Sequence, residues 1–233
     1  MMSKRDQDVQ HLTVDNDEPP SKRRKGVNSD QQAEKAIDAQ ANDDVVVEDS
    51  DEDEGTTTLK VTETKGDIFA APPSSLIIHA CNCEGHWGAG IAKAFHDRYP
   101  AAYEAYADHC DEHGHSLFGK AQLIPPTDDD ESKHFVGCLF TSRSMGRKKD
   151  SPTRILAATK PAMEDLLRQV DEWNVKAASS DDDGGGKGKA GEVRMCQINS
   201  GLFKVPWAKT KALLETIEVG SSDVKETKVV SRD

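Results

Sequence analysis

The feature that most constrains the fold is an apolar strand that runs directly into a glycine-rich loop and then a helix, over residues 79–92. The sequence there is HACNCEGHWGAGIA. Gly85, Gly88 and Gly90 let the backbone pass close to a ligand in conformations that a β-carbon disfavours. The amide hydrogens at the start of the following helix then point towards an anion. The pattern predicts a phosphate-binding turn, and therefore a phosphorylated ligand.

Composition divides the chain of 233 residues into an arm and a part that can fold. Residues 1–55 contain no Phe, Trp, Tyr or Cys, and residues 48–54 read EDSDEDE. Such a segment cannot bury enough apolar surface to offset its conformational entropy, so we expect a disordered acidic arm. Residues 56–219 suit one domain, and residues 220–233 should form a frayed polar tail. Because the net charge of −12 is partly concentrated in the arm, it says little about the domain, and we expect no extended nucleic-acid-binding surface.

Signals for cellular location are sparse. Residues 19–25, PPSKRRK, form a basic cluster of the type that nuclear import receptors read, and the alternative is a solvated charge run. No apolar run approaches the ~20 residues that a membrane helix needs, and the N-terminus lacks a signal-peptide core. We therefore expect a soluble intracellular protein, nuclear or cytoplasmic, without a membrane partner. Its five cysteines should be free thiols.

Hydrophobic periodicity predicts strands that alternate with helices, which is typical of an α/β domain. Residues 75–80 contain a consecutive Leu-Ile-Ile run, as expected for a strand buried on both faces of a parallel sheet. Pro161 should kink one helix, and residues 177–191 should form a flexible insertion that adds nothing to the core. Further strands are predicted over residues 59–64, 120–125, 134–141 and 192–198, and helices over 90–98, 101–113, 151–173 and 208–218.

Three unusual loops follow predicted strands, at residues 65–68, 82–90 and 199–207. In α/β domains, ligands bind in the crevice at the carboxyl ends of the strands, so we expect these loops to converge on one edge. Cys81 and Cys83 are separated by a single residue, unlike the usual zinc pair, so no metal site is expected. No other cofactor is indicated.

The residues of these loops resemble the macro domain family, and most closely its fungal ADP-ribose 1''-phosphate phosphatase branch. Four motifs in series carry the resemblance: KGDI at 65–68, HACNC at 79–83, GHWGAGIA at 85–92 and QINSGLFKVPW at 197–207. It covers residues 56–219 and leaves out the acidic arm. It implies a three-layer α/β/α fold with a mixed central sheet that binds ADP-ribose.

The resemblance assigns the carboxylate of Asp67 to the adenine amino group and the backbone of Ile68 to the neighbourhood of the ring, with Gly66 in the same loop. Such a contact discriminates strongly, because a base without the amino group leaves the carboxylate unpaired. Taken alone, Gly66-Asp67 reads more readily as a simple turn. The other substrate-binding positions that the resemblance implies are Ala80, Cys81, Asn82, Trp87, Gly88, Ala89, Gly90, Ile91, Ala92, Asn199, Ser200, Gly201, Leu202, Phe203, Lys204 and Val205. For the side chain of Trp87, apolar packing is the alternative to ligand contact.

His79 and Asn82 are the candidate catalytic pair, because they lie where the buried strand meets the glycine-rich loop. His79 could protonate the leaving oxygen or orient water, and Asn82 could hold a ribose hydroxyl. A core role is the alternative for His79, and His86 is then the next candidate. A cysteine nucleophile is disfavoured because no Lys or Arg lies between Cys81 and Lys93 to hold phosphate.

Three functions fit this reading. The first is a phosphatase that removes the terminal phosphate of ADP-ribose 1''-phosphate. The second is a hydrolase that releases ADP-ribose from protein carboxylates, although Phe203 stands where one such branch has an aspartate. The third is a module that binds ADP-ribose without turnover. The expected partners are an ADP-ribose derivative and ADP-ribosylated proteins, and we expect a monomer.

Overall fold

The chain forms a domain of six strands and four helices within residues 57–127, 130–179 and 188–232, which are the residues that the computed structural model describes. The predicted disordered arm lies outside them, as does the middle of the predicted insertion. The strands are β1 (Lys60–Lys65), β2 (Leu76–Asn82), β3 (Ala121–Ile124), β4 (Phe135–Ser142), β5 (Val193–Met195) and β6 (Glu226–Ser231). The helices are α1 (Gly90–Arg98), α2 (Pro100–His113), α3 (Pro152–Ser179) and α4 (Trp207–Leu214). Among the described residues, no helix combines the length and apolarity needed to cross a membrane.

The strands form one mixed sheet in the order β1-β6-β5-β2-β4-β3. The β1–β6, β6–β5, β5–β2 and β2–β4 pairs are parallel, and only β3 runs antiparallel to its neighbour. Because parallel neighbours share one direction, the carboxyl ends of β1, β2, β4, β5 and β6 lie at one edge. This edge carries the loops that the sequence singled out.

Helices cover both faces of the sheet. Along β2, Leu76 and Ile78 pack into the core beneath α3 and α4, whereas Ile77 and Cys81 pack into the core beneath α1 and α2. This alternation buries the strand on both faces, as its apolar run predicts. The prediction of a three-layer α/β/α fold with a mixed sheet is confirmed.

The predicted frayed tail is wrong. Residues 226–231 form β6, which lies between β1 and β5 inside the sheet. Val229 packs into one core, and Val230 packs into the other. Lys228, the polar residue between the buried Thr227 and Val229, pairs with Glu192. The domain therefore extends beyond residue 219 and is completed by a strand from the C-terminal segment.

The prediction for residues 177–191 is wrong at both ends. Helix α3 continues through Pro161 and ends at Ser179, beyond the predicted end near residue 173. Asn174 is buried on this helix, accepts a hydrogen bond from the Ala190 amide at 2.9 Å and donates one to Asp223 at 3.1 Å. Ala190 itself joins the core. These contacts stabilise the last turns of α3, and they attach the chain on the far side of residues 180–187 to the domain.

Candidate functional site

The carboxyl edge of the sheet presents four loops, which follow β1, β2, β4 and β5. Two of the three predicted loops touch, because a β-carbon built on Gly90 would lie 3.5 Å from the Leu202 Cδ1 atom. Leu202 is 65% exposed, so the two loops meet at the surface of the domain. The loops after β2 and β5 therefore form opposite walls of one site.

The loop after β2 prepares the first turn of α1 to bind an anion. Gly85 and Gly90 adopt φ values of 71° and 59°, which a residue with a β-carbon rarely takes. Helix α1 begins at Gly90 without a side-chain cap and without an acidic residue in its first turn. Its first amides are therefore available, and the helix dipole favours an anion beside them.

Asn82 shapes this loop through both ends of its side-chain amide. Its Oδ1 atom accepts a hydrogen bond from the Glu84 amide at 2.8 Å, and its Nδ2 atom donates to the His86 carbonyl at 2.8 Å. The Tyr106 hydroxyl donates to the Asn82 carbonyl oxygen at 2.8 Å. Asn82 is thus a positioning residue in this structure, and its direct contact with a ribose hydroxyl stays a prediction.

His79 lies in the core, so the prediction that it contacts the substrate is wrong. The side chain is 0% exposed, with the Phe95 ring stacked on it at 4.0 Å and the Trp87 ring edge-on at 4.6 Å between centroids. The reason is strand alternation, since His79 shares its face of β2 with Ile77 and Cys81. His86, the alternative, is exposed on the loop.

Several other predicted side chains also face the interior. Trp87 is 1% exposed and stacks on Tyr106 at 4.8 Å, so its side chain packs in the core, as the alternative interpretation held. The side chains of Cys81 and Val205 are buried, and Ala80 packs against the core beneath α3 and α4. At these positions only the backbone can reach a ligand.

Asn199 has a buried structural role at the start of the opposite wall. Its Nδ2 atom donates to the Thr159 hydroxyl at 2.9 Å, and its Oδ1 atom accepts from the Thr141 hydroxyl at 2.8 Å. The residue adopts a φ of 63°, and its carbonyl accepts from the Val205 amide at 2.9 Å. The Asn199 side chain is therefore held by these two hydroxyl groups, and substrate binding at this position stays a prediction. Between the buried Asn199 and Val205, the residues that reach the surface are Ser200, Gly201, Leu202, Phe203 and Lys204.

Asp67 lies beside the far end of α1. Its Oδ1 atom accepts a hydrogen bond from the Phe69 amide at 3.1 Å, and its Oδ2 atom lies 3.7 Å from the Arg98 guanidinium. The side chain remains 43% exposed, so the turn does not use all of its accepting capacity. The guanidinium lies over the Phe69 ring at 4.5 Å, and a groove of about 490 Å³ adjoins Gly66 and Asp67. Gly90 and Arg98 are the first and last residues of α1, so their Cα atoms are separated by about 12 Å along the helix axis, and Asp67 faces the Arg98 end.

The cysteines are poor nucleophiles in this environment. Burial raises the pKa of the Cys83 thiol to about 12 and that of Cys81 well above its usual range, so both are neutral at neutral pH. Among the described residues, His79, Cys81 and Cys138 form the group whose donor atoms lie close enough to hold a metal ion, within 4.8 Å of one another. All three are buried in the core beneath α1 and α2.

Sequence reasoning missed the loop after β4, which we define as the β4 loop, residues 143–151. It touches the glycine-rich loop directly, because the Cys83 amide donates to the Arg143 carbonyl at 3.3 Å. The Met145 amide donates to the Glu84 carboxylate at 3.1 Å. The available signal was the basic run RKK at 147–149, which follows a fully buried strand after four residues.

Comparison with known proteins identifies the family of this site. A model of the family described as "Macro domain" matches residues 78–214, which include the loops after β2, β4 and β5. The chain belongs to the macro domain family. The resemblance predicted from the loop motifs is therefore confirmed.

Relatives similar to this macro domain include proteins named ADP-ribose 1''-phosphate phosphatase. That of Chaetomium globosum is 45% identical over 172 residues, which cover 71% of this chain and 88% of the relative. That of Aspergillus fumigatus is 38% identical over 184 residues, which cover 67% of this chain and 89% of the relative. The matches therefore span most of each relative.

Solved structures similar to this domain agree on the fold. The macrodomain of Mycobacterium tuberculosis DarG has a TM-score of 0.53 at 19% identity, covering 74% of this chain and 97% of that one. Thermosipho africanus DarTG in complex with ADP-ribose has a TM-score of 0.52 at 16% identity, and the match covers 75% of this chain and 42% of that one. These distant structures support the architecture of the domain.

Proposed function

We propose that this macro domain removes the terminal phosphate from ADP-ribose 1''-phosphate and releases ADP-ribose. The observation that carries the proposal is the pair of facing walls at the carboxyl edge, where the uncapped start of α1 lies next to Leu202. Asp67, which faces Arg98 at the other end of α1, offers a carboxylate for an amino group at the far end of an extended ligand. The names of the similar fungal proteins select this substrate among ADP-ribose derivatives.

The reaction requires a water molecule to attack phosphorus while the bond from phosphorus to the ribosyl oxygen breaks. The amides at the start of α1 are suited to stabilise charge on the phosphoryl oxygens. His86 is the exposed titratable group on this loop, and its Nδ1 atom lies within hydrogen-bonding distance of the Glu84 carbonyl. If Nδ1–H donates there, Nε2 is free to take the proton of the attacking water. The leaving ribosyl oxygen takes a proton from solvent.

Two assays on one preparation test the proposal. We expect release of inorganic phosphate from ADP-ribose 1''-phosphate to proceed much faster than release of ADP-ribose from a modified protein. The reverse order would favour the protein hydrolase. Binding of ADP-ribose with no turnover in either assay would favour a binding module.

Replacement of two histidines separates catalysis from packing. We expect His86→Gln to lower kcat for phosphate release by about 100-fold, as for a lost general base. His79→Met should retain kcat within about threefold, because methionine fills irregular core space and the His79 ring is fully buried. Stopped assays of phosphate release, with melting temperatures of both variants, provide the measurement. A His79→Met protein that is stable but inactive would return His79 to the catalytic site.

Two substitutions at Asp67 distinguish its predicted contact with adenine from its hydrogen bond to the Phe69 amide. In Asp67→Asn, the remaining Oδ1 atom can still accept from Phe69, while the new amide group cannot accept a hydrogen bond from the adenine amine. We expect Asp67→Asn and Asp67→Ala each to weaken ADP-ribose binding by about 1 to 3 kcal/mol. Only the alanine variant should also lose stability. Calorimetry and thermal unfolding measure the two effects, and wild-type affinity in the asparagine variant would remove the adenine assignment.

Cellular location is a separate proposal that rests on the sequence. We propose that the basic residues 22–25, which lie outside the described residues, direct the protein to the nucleus. Replacing all four with alanine in a tagged full-length chain should raise the cytoplasmic fraction seen by microscopy. An unchanged distribution would show that the cluster is only a solvated charge run.

A further inference from the structure

The β4 loop has a fixed position beside the glycine-rich loop. The contacts of Arg143 with Cys83 and of Met145 with Glu84 join the two loops at 3.3 and 3.1 Å. On the other side of the same edge, Thr141 at the end of β4 holds Asn199 at 2.8 Å. The β4 loop therefore borders the end of the cleft where Gly90 meets Leu202, rather than the Asp67 end.

A network inside the β4 loop makes its base rigid. The Arg143 guanidinium donates to the Asp150 carboxylate at 2.6 Å, and the Arg143 amide donates to the same carboxylate at 2.8 Å. The Ser142 hydroxyl donates to the Ser144 carbonyl at 2.7 Å. Asp150 is only 8% exposed, and its contact with Arg143 lowers the pKa of its carboxyl, so the pair remains charged. The charge of Arg143 is thus largely neutralised, and the base of the loop is held in place.

The tip itself carries unpaired positive charge. Arg147 and Lys148 are exposed in a short 3₁₀ turn, and no carboxylate among the described residues forms an ion pair with either. Glu84, the acidic residue of the glycine-rich loop that contacts the β4 loop, accepts a hydrogen bond from the Met145 amide.

Other cations around the cleft are less available. Lys93 pairs with Asp97 at 2.6 Å, and Arg98 faces Asp67 at the opposite end of α1. Lys149 is half-buried in the β4 loop, where its ammonium donates to the Gly146 carbonyl at 3.4 Å. Lys204 is exposed on the opposite wall and is the alternative phosphate-binding cation. The amides of α1 carry only partial charge, whereas a phosphate monoester near neutral pH carries between one and two negative charges.

We propose that Arg147 and Lys148 form a subsite for the phosphate monoester of the ligand and make the cleft select phosphorylated ADP-ribose over ADP-ribose itself. This inference rests on the proposed function, because that function places a monoester at the Gly90 end of the cleft. The guanidinium and the ammonium both donate charge-assisted hydrogen bonds to phosphate oxygens. Once the phosphate leaves, the product loses these contacts, which favours its release.

The test compares two ligands on matched variants of the full chain. In Arg147→Gln/Lys148→Gln, we expect kcat/KM for ADP-ribose 1''-phosphate to fall about tenfold or more, with a weaker dependence on salt. The dissociation constant of ADP-ribose, measured by calorimetry, should change by less than about twofold. The control Lys60→Gln/Lys189→Gln removes the same charge at the amino edge of the strands, where both lysines are exposed. It should leave both values unchanged.

Three results would overturn the subsite. If the double variant weakens ADP-ribose binding as much as it lowers kcat/KM for ADP-ribose 1''-phosphate, the tip of the β4 loop only shapes the cleft. If neither value changes, the tip does not contact the ligand. Loss of selectivity in Lys204→Gln, with none in the double variant, would place the subsite on the opposite wall. If the wild-type chain releases no phosphate, the proposed function fails on its own. The subsite then stands only if calorimetry shows tighter binding of ADP-ribose 1''-phosphate than of ADP-ribose, and if the double variant abolishes that difference.

Discussion

Trp87→Ala is expected to lower the free energy of unfolding by about 3 to 5 kcal/mol, because it removes the largest fully buried side chain of the domain core. The indole lies at 4.6 Å from the His79 ring, 4.8 Å from Tyr106 and 6.0 Å from Phe95, measured between centroids. The cavity left by alanine would separate the glycine-rich loop from α2. For a domain of this size, the melting temperature should fall by about 10 °C.

Trp207→Ala is the matched control. This indole is only partly buried at the start of α4, where its Nε1 atom donates to Glu63 at 3.1 Å. We expect its loss to cost about 1 kcal/mol, since less apolar surface returns to water. Urea unfolding of both variants measures the difference. A Trp87→Ala domain with wild-type stability and no affinity for ADP-ribose would instead make Trp87 a ligand-stacking residue.

Local patterns were sufficient to predict most of the elements. The consecutive Leu76, Ile77 and Ile78 identify a strand buried on both faces, because such a run has no polar side for solvent. Pro100 at the first turn of α2 marks the boundary between two helices. Each of these signals lies within the segment that it predicts.

The strand β6 could not be predicted in the same way. Its sequence, ETKVVS, has few apolar residues, and its burial comes from partners that are distant in the chain. Residues 226–231 pair with residues 60–65, and Lys228 reaches Glu192. Parallel pairing between segments more than 160 residues apart leaves no signal in the local sequence, so residues 226–231 resemble a polar tail when the sequence is considered alone.

The site shows a similar division. The motifs located the loops after β1, β2 and β5, but they did not show which side chains turn inward. His79 and Asn199 both have polar groups suited to catalysis or ligand binding. In the structure, the His79 ring stacks on an aromatic ring in the core, and the Asn199 side chain forms buried hydrogen bonds. Strand alternation from Ile77 and Cys81 was the available signal for His79. No comparable signal exists for Asn199, whose partners Thr141 and Thr159 lie on β4 and α3.

Gly90→Val is expected to reduce kcat/KM for phosphate release by at least about 100-fold while the domain remains folded. Gly90 has a φ of 59°, where a β-branched residue is strained by about 1 to 2 kcal/mol. A β-carbon there would also lie 3.5 Å from Leu202, on the side where the two walls meet. The new side chain would both narrow the cleft and turn the first amides of α1 away from the phosphoryl group, so an interaction made in the transition state is lost.

Gly114→Val separates strain from function. Gly114 has a φ of 52° at the end of α2, and none of the described atoms outside its immediate neighbours lies within 4 Å of the place that a β-carbon would take. The substitution therefore also forces a β-branched residue to a positive φ away from the four loops, and at a ψ of −137° its backbone strain is substantial. Gly114→Val should lose stability in urea without losing turnover, whereas Gly90→Val should lose turnover and affinity for ADP-ribose. Equal losses of turnover in the two variants would mean that activity follows the stability of the domain, and the amides at the start of α1 would no longer explain how the phosphate is held.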